Sequence, residues 1–241
     1  MFRRTHHQHI ARVLESLDGA MLREQACWFG GGTAIALREG EYRESVDIDL
    51  MVSSQEGYRG LRGLLAGARN LAPVTRSGRQ IFAFENEARA DRYGIRGFVL
   101  VDGAQIKFEI VHENRISFDT PGRRDKVCGI HTLNRIDLAA SKLLANADRW
   151  RDDSVYSRDV IDLAMLDTPP RELMSALHKA REAYGSSVAR DLARALAALR
   201  ERPGHLEQCM QALSITLVPA LLQQHVRRLS QRLTRMGVDL D

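Results

Sequence analysis

Two carboxylates, Asp47 and Asp49, alternate with Val46, Ile48 and Leu50 in the run Ser45-Val-Asp-Ile-Asp-Leu50. That alternation is the period of a β-strand and puts both carboxylates on one face, with the aliphatics on the other. Like charges this close repel unless a cation joins them. Oxygen-only ligation suits Mg²⁺, which commonly takes one or two carboxylates together with substrate phosphates. Upstream, Gly30, Gly31 and Gly32 separate an apolar run (residues 26–29) from a helix-like run (residues 34–37). The pattern is strand, flexible turn and helix start. Backbone N–H groups in such a turn can approach a phosphate, and the helix N-terminus adds partial positive charge. Gly31 and Gly32 are the expected cradle, and Thr33 can cap the helix or give its hydroxyl to a phosphate. Alone, a glycine triplet reads as a loop and an Asp-x-Asp strand as a polar-out strand. Their succession makes them informative.

The elements that must hold these groups follow from periodicity. Residues 10–22 read as one helix, with Ile10, Val13, Leu14, Leu17 and Met21 on a face. His6, His7 and His9 precede it without an apparent carboxylate partner and read as a solvated helix start. Residues 56–68 read as a helix with Leu61, Leu64 and Leu65 apolar, and residues 80–84 as a strand. Asp102-Gly103 between two β-rich runs signals a hairpin. In its second arm Ile106, Phe108 and Ile110 take one face, and Lys107 and Glu109 the other. Pro121-Gly122 and the charged residues 123–126 mark a break, after which the chain turns helical. Helices are expected over 135–147, with Asn134 as cap, and over 156–166, 171–183, 188–199, 205–213 and 220–233. Asp159 and Asp162, three residues apart, share a helix face, which by itself reads as a charged surface.

Composition bounds the class. Hydrophobic residues make up 44% and charged residues 27%, ordinary for a soluble globular chain with a substantial core. No apolar run reaches the ~18 residues of a membrane span, and the start of the chain lacks a signal-peptide core. A cytoplasmic location without membrane contact is therefore expected. Cys27, Cys128 and Cys209 show no zinc-like spacing and no disulfide framework. A net charge of +4 and pI of about 9.2 are compatible with a nucleic-acid or nucleoside-triphosphate partner.

The Gly-Gly/Ser turn followed by Asp-x-Asp resembles the signature of the nucleotidyltransferase superfamily, with Thr33 here where many members have Ser. More narrowly, Gly31-Gly-Thr-Ala-Ile-Ala-Leu37, Arg43 and Ser45-Val-Asp-Ile-Asp-Leu50 resemble the AbiEii/AbiGii nucleotidyltransferases, whose best-known members are toxins of type IV toxin–antitoxin systems. A lysine on one helix, Lys142, followed by Arg158-Asp-Val-Ile-Asp-Leu163 on the next is similar to that family's C-terminal motifs. The resemblance implies an α+β fold: a mixed sheet with flanking helices over residues 1–125, then a helical domain over 126–241 completing an active-site cleft. It implies that Glu109 joins Asp47 and Asp49 as a third metal-binding carboxylate. Lys142 then meets the triphosphate as a mobile point charge, and Arg158 contacts phosphate or braces the aspartates. Asp159 or Asp162 orients Lys142 or acts as a base. Lys179, outside the motifs, is expected to matter little.

The activity implied is Mg²⁺-dependent transfer of a nucleotide from an NTP. Some relatives add nucleotides to tRNA acceptor ends, so tRNA or another RNA is the acceptor considered first, and an antitoxin is the expected protein partner. Two alternatives stay open: nucleotidylation of a small molecule or protein, and a non-catalytic binding module. The intact set of Asp47, Asp49 and Glu109 speaks against the second.

Overall fold

The computed structural model describes residues 2–238. The described residues form two compact units: residues 2–41 with 45–134, and residues 42–44 with 135–238. The first is α+β. It contains α1 (Thr5–Ser16), α2 (Gly19–Glu24), β1 (Cys27–Phe29), α3 (Gly31–Arg38), β2 (Asp47–Val52), α4 (Gln55–Leu65), β3 (Arg89–Ala90), β4 (Gly94–Val101), β5 (Ala104–His112), β6 (Lys126–Val127) and β7 (Ile130–His131). Five strands form a mixed sheet in the order β1-β2-β5-β4-β3, and β6 and β7 form a separate two-stranded ribbon. Only the β2–β5 pair is parallel; β1–β2, β3–β4 and β4–β5 are antiparallel.

One face of the central strands is the core. Ile48, Leu50, Ile106, Phe108 and Ile110 are all fully buried, each contributing roughly 1.5–3 kcal/mol by leaving water. The polar residues between them face the other way, as period two requires. The β4–β5 hairpin turns on Asp102 and Gly103, with φ of 49° and 82°. Two positive φ values in a two-residue loop match the right-handed twist of the strands they join.

Three expectations need correction. Residues 10–22 are two helices, because Asp18 caps α2 by accepting from the N–H groups of Ala20 and Met21, while Leu17 is extended. A short polar side chain that satisfies a helix's first amides starts a new helix there. Helix α4 stops at Leu65, and Leu64 is 45% exposed rather than on the apolar face. Residues 80–84 are no strand. Their backbone bonds go alternately to residues 69–71 and 98–100, leaving only the isolated bridges Asn70↔Ala83 and Phe84↔Val99.

The second unit is helical: α5 (Arg135–Arg149), α6 (Arg158–Leu166), α7 (Pro170–Tyr184), α8 (Ser187–Glu201), α9 (His205–Ala212) and α10 (Pro219–Arg235). Helix α5 packs against α6, α7 and α8, and α10 covers α6 and α8. The apolar faces of α7 (Leu173, Leu177) and α8 (Leu192, Leu196, Leu199) are buried as the helical period predicts. No helix among the described residues is long and apolar enough to cross a membrane.

Two glycines of α4 give opposite expectations. A Cβ on Gly57 would collide with the Gln25 carbonyl oxygen, whereas one on Gly63 would meet nothing within 4 Å. Gly57→Ala should cost about 1–3 kcal/mol through overpacking against backbone. Gly63→Ala should stabilise by about 0.5–1 kcal/mol through helix propensity. Urea denaturation of the two variants measures both.

Candidate functional site

The glycine turn lies directly on the Asp-x-Asp strand. The Gly30 N–H donates to the Asp49 carbonyl oxygen at 2.8 Å. Gly31 has φ +67°, and a Cβ there would strike the Asp49 carboxylate. Glycine is thus required at 31 on two counts, backbone conformation and close approach. The N-cap of α3 is Gly30, and no side chain caps the helix. Thr33 is therefore not the cap: it is 1% exposed, and its hydroxyl shares a 2.7 Å hydrogen bond with that of Ser45.

Asp47 and Asp49 are both half-buried, and strand register sets what lies beside them. Asp49 pairs with Glu109 and Asp47 with Lys107 across β2–β5; Glu109 pairs with Arg96 across β5–β4. Directly paired residues share a sheet face, so Arg96, Glu109 and Asp49 form one row. Glu109 accepts from Arg96 Nε at 3.0 Å and from Lys107 Nζ at 2.6 Å. Among the described residues no group of three His, Cys, Asp or Glu is placed to hold a metal ion. Asp47 and Asp49 remain two carboxylates on one strand face beside the glycine turn, the oxygen-donor type that a divalent cation takes together with phosphate oxygens. Glu109 as placed is committed to Lys107 and Arg96.

The segment entering β2 is held by residues that the sequence reading passed over. His7 is fully buried, not solvated. Its Nδ1 lies 2.8 Å from Glu41 Oε1, and its Nε2 accepts the Ser45 N–H at 3.1 Å. That acceptance places the ring proton on Nδ1, donated to Glu41. Glu41 also accepts from the N–H groups of Arg3 and Arg4. Burial works against its carboxylate, but these donors hold it below the usual carboxylate value. His6 Nε2 lies 2.9 Å from the Val46 carbonyl oxygen. No sequence pattern announces these pairs, because their partners stand more than thirty positions apart.

In the helical unit, Asp159 and Asp162 do share a face, but it is buried, at 3% and 0% exposure. Lys142 Nζ sits between them, 2.8 Å from Asp159 Oδ1 and 2.6 Å from Asp162 Oδ2. It is 6% exposed and fixed, not a mobile surface charge. Arg43 clamps Asp162 through Nε and Nη2 at 2.7 and 2.8 Å, and Tyr42 donates to it at 2.5 Å. Arg149 clamps Asp159 through Nε and Nη2 at 2.7 and 3.0 Å. The braces are therefore Arg43 and Arg149, while Arg158 makes no ion pair among the described residues. Planar guanidinium forks match a carboxylate with two parallel bonds. Burial opposes ionisation of Asp159, and Lys142 and Arg149 more than offset it, holding the carboxyl well below its usual range. Asp162 is likewise lowered, burial being outweighed by Arg43 and Lys142. Burial and the Asp162 charge push the Tyr42 phenol well up, so it stays a donor. Lys179 is not inert either: it donates at 2.6 Å to Asp137, which is fully buried.

Comparison with known proteins shows the class, a nucleotidyltransferase. The family model described as "Nucleotidyl transferase AbiEii toxin, Type IV TA system" matches residues 12–239. The chain belongs to this family of nucleotidyltransferase toxins, which implies a nucleotide substrate and an antitoxin partner. Its structure is similar to that of a presumed nucleotidyltransferase from Helicobacter pylori, with a TM-score of 0.53 and 14% identity, covering 96% of this chain and 95% of that one. It also aligns with MenT4, a nucleotidyltransferase toxin of Mycobacterium tuberculosis, with a TM-score of 0.48 and 17% identity over 96% of this chain and 86% of that one. No curated protein matches the sequence.

The buried cluster predicts a stability signature. Asp162→Ala leaves Arg43 and Lys142 short of a counter-charge and should cost about 3–5 kcal/mol, read by urea denaturation. A carboxyl lowered on folding stabilises above its unfolded value, near 3.9, and loses that contribution as pH falls through the lower folded value. Asp159→Asn should therefore flatten the loss of stability below about pH 4, measured as stability against pH.

Proposed function

We propose that the protein transfers a nucleotidyl group from an NTP to a hydroxyl of an RNA, with a tRNA 3′ end as the leading acceptor. The observation that supports it most is the glycine turn laid against Asp49, with Asp47 on the same strand face. Asp47 and Asp49 would hold Mg²⁺, which when bound would neutralise charge on the phosphates and on the departing pyrophosphate. The backbone of Gly31 and Gly32 would receive the phosphates at the start of α3. Thr33, tied to Ser45, would keep the turn in place rather than touch substrate.

The acceptor hydroxyl oxygen bonds to the α-phosphorus as the bond to pyrophosphate breaks, and Glu109 takes the hydroxyl proton. Glu109 is proposed for that role because strand register sets it beside Asp49. Most of the acceleration then comes from positioning and charge neutralisation. In the helical unit, Lys142 is paired with Asp159 and Asp162 and braces that unit's own interior. The net charge of +4 favours a polyanionic acceptor, and a cytoplasmic location accords with RNA.

Asp49→Asn should reduce transfer from labelled NTP by on the order of a hundredfold or more, because a metal ligand is worth several kcal/mol of transition-state stabilisation. The fold should remain, with the wild-type Tm shift on adding Mg²⁺ and NTP abolished. Full activity in this variant contradicts the assignment. Label appearing on protein or small molecules but never on RNA replaces the acceptor.

A further inference from the structure

A second basic constellation lies in the α+β unit. A cavity of about 510 Å³ is lined by Arg23 of α2, Arg76 and Arg79 of the loop after a 3₁₀ turn, Lys126 of β6, and His131 of β7, with Cys128 between the last two strands. The four cations are exposed, and none makes an ion pair with a carboxylate among the described residues. Two carboxylates share the wall, Glu15 and Asp18, but Asp18 is engaged in capping α2. The walls are preformed. The Arg76 N–H donates to the Ser16 carbonyl oxygen at 2.9 Å and the Asp18 N–H to that of Val74 at 2.8 Å, which ties the arginine loop to α1 and α2.

His131 closes the β7 side of the wall. It is 7% exposed, and its Nδ1 is buried with no hydrogen-bond partner. Burial, with Lys126 and Arg23 nearby, lowers its imidazole below the usual value, as expected of a ring facing uncompensated positive charge. Cys128 offers no nucleophile: burial, with Glu15 nearby, pushes its thiol up to about 11. The charge of the lining suits an anion.

We propose that this pocket holds phosphates of the RNA acceptor's backbone. The inference rests on RNA being the acceptor. Four cations from three chain segments around about 510 Å³ offer more contacts and more room than one inorganic phosphate uses, whereas successive phosphodiesters of one strand would occupy them together.

The test is salt-dependent binding of a fluorescent single-stranded RNA by the full chain, with His131 followed by NMR. Arg76→Ala/Arg79→Ala removes two exposed loop charges. Each phosphate contact contributes about 0.7 to the slope of log K against log salt for single strands, so the slope should become shallower by about 1.4. The exposed pair Arg59→Ala/Arg62→Ala on α4 should leave it nearly unchanged, and RNA should shift the His131 resonances in the wild type. An unchanged slope in a protein that still labels RNA overturns the pocket but not the acceptor. A wild type that neither binds nor labels RNA overturns both. His131 responding to inorganic phosphate but not to RNA also overturns the proposal.

Discussion

The candidate site of the α+β unit depends on the close approach of the glycine turn to Asp49. Main chain and side chain of this residue are both engaged: its carbonyl accepts the Gly30 N–H, and its carboxylate occupies the space that a side chain at 31 would fill. The turn and the strand register are therefore one constraint. A one-residue slip of β2 would carry Asp47 and Asp49 into the face now formed by Ile48 and Leu50. Burying two unpaired carboxylates is far costlier than any hydrogen bond such a slip could save. The parallel pairing of β2 with β5 then brings Glu109 alongside Asp49 from a distant part of the sequence.

Buried charge does the rest of the positioning, and in each case the charge is paired. Residues 41–46 show how densely. Glu41 is held by His7, Arg3 and Arg4; Arg43 by Asp162; Ser45 by His7 and Thr33; Val46 by His6. A single run of chain leading into Asp47 is thus fixed at four of its six residues. Paired buried ions add little net stability over apolar replacements, but they are expensive to break. Such networks tolerate few alternative arrangements of the backbone they hold. Rigid first residues of β2 suit the metal-binding role proposed for its two carboxylates, since displacements of an ångström are costly in transfer chemistry.

Much of this was legible in the sequence. Period two fixed the faces of β2 and β5, Asp102-Gly103 marked the hairpin, and the helical period found the helices of the second unit within a few residues. The turn and Asp-x-Asp pattern led to the family. What was not legible depends on partners distant in sequence. His7 looked like a solvated residue because Glu41 lies thirty-four positions away. Taken by themselves, Asp159 and Asp162 read as a charged helix surface, because the guanidinium that makes the burial of Asp162 tolerable comes from Arg43, 119 positions before it. Lys179 looked silent for the same reason, its partner Asp137 lying on another helix. Residues 80–84 alternate like a strand, yet divide their backbone bonds between two neighbours. Periodicity reports which face is buried and is blind to what pairs with it.

In the proposed reaction Asp47 and Asp49, beside the Gly31 turn, bind the metal that carries the nucleotide's phosphates. Crystals soaked with Mn²⁺ and a non-hydrolysable NTP analogue test it directly, because manganese gives an anomalous signal that locates the ion without reference to activity. The prediction is a peak ligated by Asp47 and Asp49, with phosphate oxygens completing its shell and reaching the amides of Gly31 and Gly32. A nucleotide bound elsewhere, or manganese held by other residues with Asp47 and Asp49 unligated, would contradict it.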